Sequence, residues 1–396
     1  MSQLDTVVPL AQLSLCERVR IAFVIDAIDD WQAGTEQQVR KLLGALDRTN
    51  FEPTLYFLRP SLHLRPEDFP CPVHVANWRP QVKWYRPTAL AALVRSFRRW
   101  RPHIVQTFFR DGTYYGTLAA KIVRVPTVVI SVRNAGYWKG GIDHLALKTV
   151  YRFADFFQCN SRSVAESLMD QNGTPPARIE VLPNAIDLNH FAPATAVGRL
   201  AARKRLGLPL DAPVFVSVAN LRPVKDLSTL IEAAGLVRRD LPTAQFLLIG
   251  EGPLRPALES QASNLSLSAC VRFLGAQADV RPFLAAADLG LLTSRSEASS
   301  NAVLEYMAMG LPAVLSDIPG NRDLVDGVFF EPGNAADLAR KILGLWHDPD
   351  LRQSMHQDYC LRGREHSLEA FSQRAEAYYE GLVVCSYESG RERIRG

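Results

Sequence analysis

The stretch SRSEASSNAVLEYMAMGLPAVLSD, residues 294–317, is the one from which the fold reads outward. An apolar run, DLGLLTS (288–294), leads into it, and another, PAVLSD (312–317), closes it. Between them NAVLEYMAM has helical composition and is stopped by Gly310 and then Pro312, the order that ends helices. Strand, small polar turn, helix, strand is the repeating unit of a parallel α/β sheet. Glu297 and Glu305 flank the polar turn, and Ser299, Ser300 and Asn301 occupy the helix entrance. Free backbone N–H groups at such an entrance can meet an anion. One glutamate in a first helical turn ordinarily only complements the helix dipole. Two carboxylates, each able to accept a pair of hydrogen bonds, match adjacent hydroxyls.

The same alternation runs along the chain. Candidate strands fall at 20–26, 52–58, 103–109, 127–132, 156–161 and 179–184, then at 214–220, 244–250, 271–275, 288–294 and 312–317. Amphipathic stretches such as GTEQQVRKLLGALD and GTYYGTLAAKIVR separate them. Apolar strands alternating with helices predict parallel sheets covered on both faces. A chain of 396 residues is long for one core, so two series of strands predict two doubly wound, Rossmann-like domains. The expected division is 1–190, 191–365 and a C-terminal helical segment at 366–396, with a linker-like, basic break at 187–213.

Composition excludes several classes. Hydrophobic residues at 47% and charged residues at 22% suit a globular chain and argue against a disordered or fibrous one. The net charge of +4 does not by itself point to nucleic acid, and basic and aromatic residues form no recognisable nucleic-acid module. The six cysteines include no CxxC pair, which fits a reducing compartment and gives no zinc motif. Residues 1–15 lack the basic start and apolar run of a secretory signal, and no segment approaches the ~20 apolar residues that span a bilayer. The expected location is the cytoplasm. RPQVKWYRP (79–87) and LVRSFRRWRPH (93–103) put Arg95, Arg98, Arg99 and Arg101 near Trp84, Tyr85 and Trp100. Such a surface suits peripheral docking on the anionic inner face of the cell membrane, the alternative being a solvated helix face.

In open parallel sheets ligands bind beyond the carboxyl ends of the strands, so chemistry is sought there. VANLRPVKD (218–226) places Asn220, Arg222 and Lys225 between a strand and a helix start, where a pyrophosphate is favoured. LLIGEGPLRPALE (247–259) ends a strand in Gly250 and Gly252, which lets backbone approach a ligand. Arg255 stands where a third glycine would complete a GxGxxG fingerprint, so a nicotinamide site is not expected. IDAIDDWQAGTEQQV (25–39) puts Gly34 at a helix start, either to admit a phosphate or simply as a turn glycine. The DxD-like HDPDL (347–351) falls between helices and reads as a solvated turn, so no metal is expected.

These segments together resemble the retaining GT-B glycosyltransferases of family four. SEASSNAVLEYMAMGLPAVLSD (296–317) is similar to that family's E-x7-E motif, with Glu297 and Glu305 at the glutamate positions. VANLRPVKDLSTLIEA resembles its basic strand-to-helix motif, and LLIGEGP and VRFLG its segments near the nucleotide base. VLPNAIDLNHF (181–191) resembles the close of the first domain, and AGTEQQV (33–39) the first loop. The resemblance covers most of the chain. It implies two Rossmann-like domains facing across a cleft, with the last helix crossing back.

It also implies roles for individual residues. Lys225 would stabilise the departing diphosphate with Arg222 and Asn220 beside it, Glu305 would hold the ribose hydroxyls, and Glu297 those of the transferred sugar. Gly34 would close on the phosphates, and the base would lie against Gly252 and Phe273 to Gly275. Asn220 stands where the family has an arginine, and Ala298 where it has a glycine. No histidine lies between His103 and His144, where the family often carries one facing the reaction centre. QTFFRDGTYYG (106–116) fills that place and nominates Arg110 and Asp111 for the acceptor side.

The implied activity is metal-independent transfer of a hexosyl group from a UDP- or GDP-sugar to a glycan or lipid-linked acceptor, with retention and without a cofactor, in polysaccharide or glycolipid synthesis. The competing readings are a nucleotide-sugar epimerase of the same fold and a non-catalytic sugar-nucleotide-binding component of a polysaccharide assembly system.

Overall fold

Each apolar run of the sequence becomes a parallel strand. The computed structural model describes residues 18–29, 34–62, 65–76, 87–133 and 142–395. Trp84 and Tyr85 lie outside the described residues. The chain divides into two compact units, Met1–Pro183 with Phe371–Gly396, and Asn184–Ala370.

In chain order the first unit holds β1 (Val19–Ile25), α1 (Gly34–Ala45), β2 (Phe51–Phe57), β3 (Val73–Val75), α2 (Pro87–Trp100) and β4 (Ile104–Thr107). It continues with α3 (Arg110–Ile122), β5 (Thr127–Val132), α4 (Ile142–Tyr151), β6 (Phe156–Cys159), α5 (Arg162–Asn172) and β7 (Ile179–Val181). Among the described residues its strands form one seven-stranded parallel sheet in the order β3-β2-β1-β4-β5-β6-β7.

The second unit holds α6 (Ala196–Arg205), β8 (Val214–Val218), α7 (Leu227–Asp240), β9 (Gln245–Ile249), α8 (Arg255–Asn264), β10 (Val271–Phe273), α9 (Arg281–Ala286) and β11 (Leu289–Leu292). There follow α10 (Asn301–Ala308), β12 (Ala313–Ser316), α11 (Pro319–Arg322), β13 (Val328–Phe330), α12 (Ala335–His347) and α13 (Pro349–Glu365). Its sheet is parallel, in the order β10-β9-β8-β11-β12-β13. Both sheets are doubly wound, and the order reverses between β1 and β4 in one and between β8 and β11 in the other. Strands β4, β11 and β12 are buried at every residue, as strands covered on both faces must be.

The strands expected from apolar runs are all present. Those not anticipated, β3 and β13, are three-residue edge strands; β3 has His74 and Val75 exposed, and β13 buries only Phe330. The units part at 183/184 and 370/371, against the expected 190/191 and 365/366. Residues 184–191 are tied into the second unit: the Ile186 amide donates to the His366 carbonyl at 2.8 Å, and His366 Nδ1 lies 3.1 Å from the Asn184 carbonyl.

The last helix, α14 (Leu368–Arg395), joins the first unit from Phe371 onward. Ser372 Oγ donates to the Ala45 carbonyl at the end of α1 at 2.6 Å, and the Asp47 amide donates to Glu376 at 2.9 Å. Tyr379 is fully buried, its ring edge-on to Phe23 at 6.3 Å. Its hydroxyl donates to Gln106 Oε1 at 2.5 Å. Gln106 in turn donates to Ser131 Oγ at 2.7 Å and Gln158 Oε1 at 3.2 Å, a polar chain laid across β4, β5 and β6. Tyr379→Phe keeps the ring and strips Gln106 Oε1 of this donor. Loss of about 1–3 kcal/mol is expected, a drop of several degrees in the melting of the first unit. An unchanged melting temperature would mean that the ring alone docks the helix.

Candidate active site

The second unit brings the sequence motifs together at its reversal point. The segment after β8 makes a short turn, Pro223–Lys225, and the segment after β11 carries Ser294 to Glu297. Backbone stitches join them: Thr293 Oγ1 donates to the Lys225 carbonyl at 2.8 Å, and the Arg295 amide to the Val224 carbonyl at 2.8 Å. Asp226 closes the turn in the left-handed region at φ 47°, ψ 44°, and pairs with Arg295 at 3.0 Å. So held, Lys225 Nζ forms an ion pair with Glu297 Oε1, which also accepts from Ser294 Oγ at 2.6 Å. Both side chains are largely buried, 22% and 12% exposed, which strengthens their attraction relative to a surface pair.

Asn220 and Arg222 precede Lys225 in the same segment and are exposed. Arg222 enters no ion pair with a described residue, so its charge is available to an anion. Helix α10 begins just beyond Ser300, whose side chain makes no capping bond. Ser299 and Ser300 are buried, and Ser299 Oγ has no hydrogen-bond partner among the described residues. Glu305 is buried one turn in. Tyr306 next to it anchors the helix to the reversal point, its hydroxyl accepting from the Val218 amide at 3.2 Å and donating to the Leu291 carbonyl at 3.2 Å.

Asn184 was not singled out in the sequence, although VLPN contained it. Its Nδ2 donates to the Ser299 carbonyl and to Asn301 Oδ1, each at 3.0 Å, fixing the entrance of α10.

The base-side segments serve partly a different purpose from the one expected. A Cβ on Gly252 would stand 2.5 Å from the Leu221 carbonyl, so the glycine admits the neighbouring loop that carries Asn220 and Arg222. Phe273 packs its ring against the core of the second unit, and Gly275 follows in the left-handed region at φ 71°. Asp348 of HDPDL caps α13 by accepting from the Leu351 amide at 2.9 Å.

The first unit has chemistry at its own reversal point. Arg110 and Asp111 form the first turn of α3, paired at 3.0 Å, after Phe109 at φ 57°, ψ 179°, a conformation costly for any side chain. Asp26, directly after β1, accepts from the Gly112 amide at 2.6 Å. Burial, reinforced by the charge of Asp111, pushes its carboxyl up to about 7, against the pull of the Gly112 N–H, Arg110 and Arg59. Arg133, at the end of β5, is pushed down to about 10 by burial, with Glu36 opposing, and remains a cation at neutral pH. No sequence pattern nominated Asp26 or Arg133, because isolated charges at strand ends are common and only tertiary burial distinguishes them. Gly34 opens α1 in this unit and is exposed.

Two doubly wound parallel sheets in one chain are the fold of the GT-B class. Comparison with known proteins agrees. Residues 212–348 match the glycosyl transferases group 1 family and residues 33–190 match glycosyltransferase family 4. A lipopolysaccharide core biosynthesis glycosyltransferase of Rhizobium meliloti (strain 1021) is 32% identical over 249 residues, 61% of this chain and 68% of that protein. The UDP-Gal:alpha-D-GlcNAc-diphosphoundecaprenol alpha-1,3-galactosyltransferase of Escherichia coli is 30% identical over 252 residues, 61% of this chain and 64% of that protein. In fold, Anabaena HepE, solved with UDP and glucose, superposes with a TM-score of 0.79 at 20% identity, covering 92% of this chain and all of that one. The chain belongs to the family-four glycosyltransferases.

A Cβ on Gly320 would stand 2.2 Å from the Glu297 carbonyl, a contact with backbone that cannot be relieved by rotating a side chain. Gly320→Ala is therefore expected to displace the Glu297 loop and weaken nucleotide-sugar binding at least tenfold, with overall circular dichroism unchanged. Isothermal titration would check it, and wild-type affinity would show that the loop's position is not critical.

Proposed function

We propose that this glycosyltransferase moves a hexosyl group from a UDP-sugar to a lipid-linked glycan acceptor, with retention and without a metal. The observation that carries the reading is the Lys225–Glu297 pair at the β8/β11 reversal point. The diphosphate develops negative charge as the glycosyl bond breaks, and fixed positive potential around it is the largest help a protein can give. Lysine has three donors, so Lys225 can keep Glu297 and still reach a phosphate oxygen. Arg222 supplies further charge, and the positive end of the α10 dipole behind Ser299 and Ser300 suits the other phosphate oxygens. Glu305 takes the ribose hydroxyls and Glu297 those of the sugar, as carboxylates suit adjacent hydroxyls. Arg110 and Asp111 serve the acceptor. A UDP donor is favoured over GDP by the relative that uses UDP-Gal and by the HepE complex with UDP. The acceptor class follows the relative acting on a diphosphoundecaprenol-linked sugar.

Lys225→Ala is expected to lower the transfer rate roughly 10²–10³-fold, as loss of one preorganised donor does; a change under tenfold would put the phosphates elsewhere. Melting curves with UDP, GDP, ADP, CMP and NAD, with and without EDTA, test the donor site. A nucleotide at 100 times its Kd adds about 2.7 kcal/mol. Stabilisation by UDP alone, indifferent to EDTA and absent in Glu305→Ala, is the expected result, and stabilisation by none of them would refute it. Asp111→Ala is expected to raise the acceptor KM and spare the donor KM; full transfer activity would remove Asp111 from the acceptor side.

The same proposal places the enzyme on the inner face of the membrane. No described helix is long and apolar enough to cross a bilayer. On α2, Arg95, Arg98 and Arg99 are exposed and no ion pair with a described residue engages them, and Arg101 follows, also exposed. Trp100 is packed against the core beside Tyr56, so the surface is basic rather than aromatic at that point. Co-sedimentation with vesicles containing anionic lipid, lost at high salt, is the expected behaviour. Equal binding to neutral vesicles would contradict it.

A further inference from the structure

We propose that Asp26 is a positioning residue of the first unit, holding the first turn of α3, and with it Arg110 and Asp111, through its bond to the Gly112 amide. The inference rests on the reading that Arg110 and Asp111 serve the acceptor. Its own basis is geometric. Asp26 follows β1 and α3 follows β4, the two strands that flank the reversal of the first sheet. Gly112 N–H is one of the donors that a helix start leaves without an intrahelical partner, and the Asp26 carboxyl satisfies it at 2.6 Å. Phe109 precedes that turn at φ 57°, ψ 179°, a conformation that persists only where surrounding bonds enforce it. Asp26 is fixed in turn from the other side, its carbonyl accepting from the Leu58 and Arg59 amides, each at 3.1 Å.

The bond is sensitive to charge. An ionised carboxylate accepts an N–H bond more strongly than a neutral acid and also complements the helix dipole. The groups facing Asp26 are Asp111 and Arg110 from α3 and Arg59 from the segment after β2, itself paired with Asp29. Burial and Asp111 hold the proton on Asp26 up to about pH 7, although the Gly112 bond opposes this. Ionisation strengthens the bond by the same linkage through which the bond favours ionisation. Above neutrality the turn is clamped, and below it the clamp is a neutral hydrogen bond. The acceptor end of the first unit therefore tightens as pH rises through 7.

Hydrogen exchange of the full-length protein at the α3 start, corrected for intrinsic rates, tests this without an acceptor. Protection of the Gly112 amide is expected to rise about fivefold from pH 6 to pH 8, the ratio between a charged and a neutral acceptor. Asp26→Asn, whose oxygen can still accept from Gly112, should abolish that rise. Asp111→Asn should move its midpoint to lower pH, because the Asp111 charge is one cause of the elevated value. Melting supplies an independent check. The unfolded chain loses the Asp26 proton in the ordinary carboxylate range and the folded chain only near 7, so wild type is most stable relative to Asp26→Asn at low pH. That advantage falls as pH rises from about 4 to about 7 and then levels off. Protection at Gly112 that does not change with pH in wild type, or a melting difference flat with pH, would overturn the proposal. The effect of Asp111→Ala on the acceptor KM belongs to the separate question of what α3 contacts, so the two readings fail independently.

Discussion

The second unit depends on one constraint, the joining of the segments that follow β8 and β11. Parallel strands that neighbour each other at a reversal send their connections to opposite faces, so the ends of β8 and β11 leave an opening between them. Here that opening is closed by the Thr293 bond to the Lys225 carbonyl and the Arg295 bond to the Val224 carbonyl. With the backbone so joined, Lys225 and Glu297 have no freedom to lie apart. Burying both charges costs desolvation, and their contact together with Ser294 offsets it. The same joining sets Ser299, Ser300 and the start of α10 at the rim, with Tyr306 and Asn184 as supports.

Close backbone packing is the second condition. Gly252 and Gly320 are each required because a Cβ would strike a carbonyl of a loop that carries site residues. Glycines near a binding site are readily taken as room for a ligand. At these two positions the room is already used by the protein's own backbone. The first unit solves its own problem with a polar chain. Gln106, Ser131 and Gln158 are buried on neighbouring strands of the first sheet, and each finds a partner in the next or in Tyr379. Buried networks of this kind specify one arrangement because any other leaves a polar group unpaired. The docking of α14 is thereby fixed in register.

Both units thus use the same device, charged groups at the ends of the strands flanking a reversal. In the second unit the charges are opposite and in contact. In the first, Asp26 and Asp111 carry the same sign near one helix start, with Arg110 and Arg59 as partial compensation. The second unit joins two opposite charges by direct contact, whereas burial of Asp26 in the first leaves a proton whose loss falls near neutrality.

Sequence by itself determined the class of fold and brought forward the charged residues that the second unit then pairs or buries. Apolar runs of four or more residues separated by helical periods admit little besides parallel sheets, and Lys225, Glu297 and Glu305 lie in contiguous segments whose spacing is read directly. Tertiary structure alone decided the rest. The edge strands β3 and β13 are strands through their pairing with neighbours. Asn184 reaches residues more than a hundred positions away, so no local pattern announces its partners. Trp100 turned inward, where sequence could as easily have set it at a surface. Asp26 and Arg133 look like any other charged residue at a strand end, and their proton affinities follow from burial and from partners distant in the chain. Spacing along a chain fixes which residues share an element, whereas desolvation and long-range contact exist only once the sheet has closed.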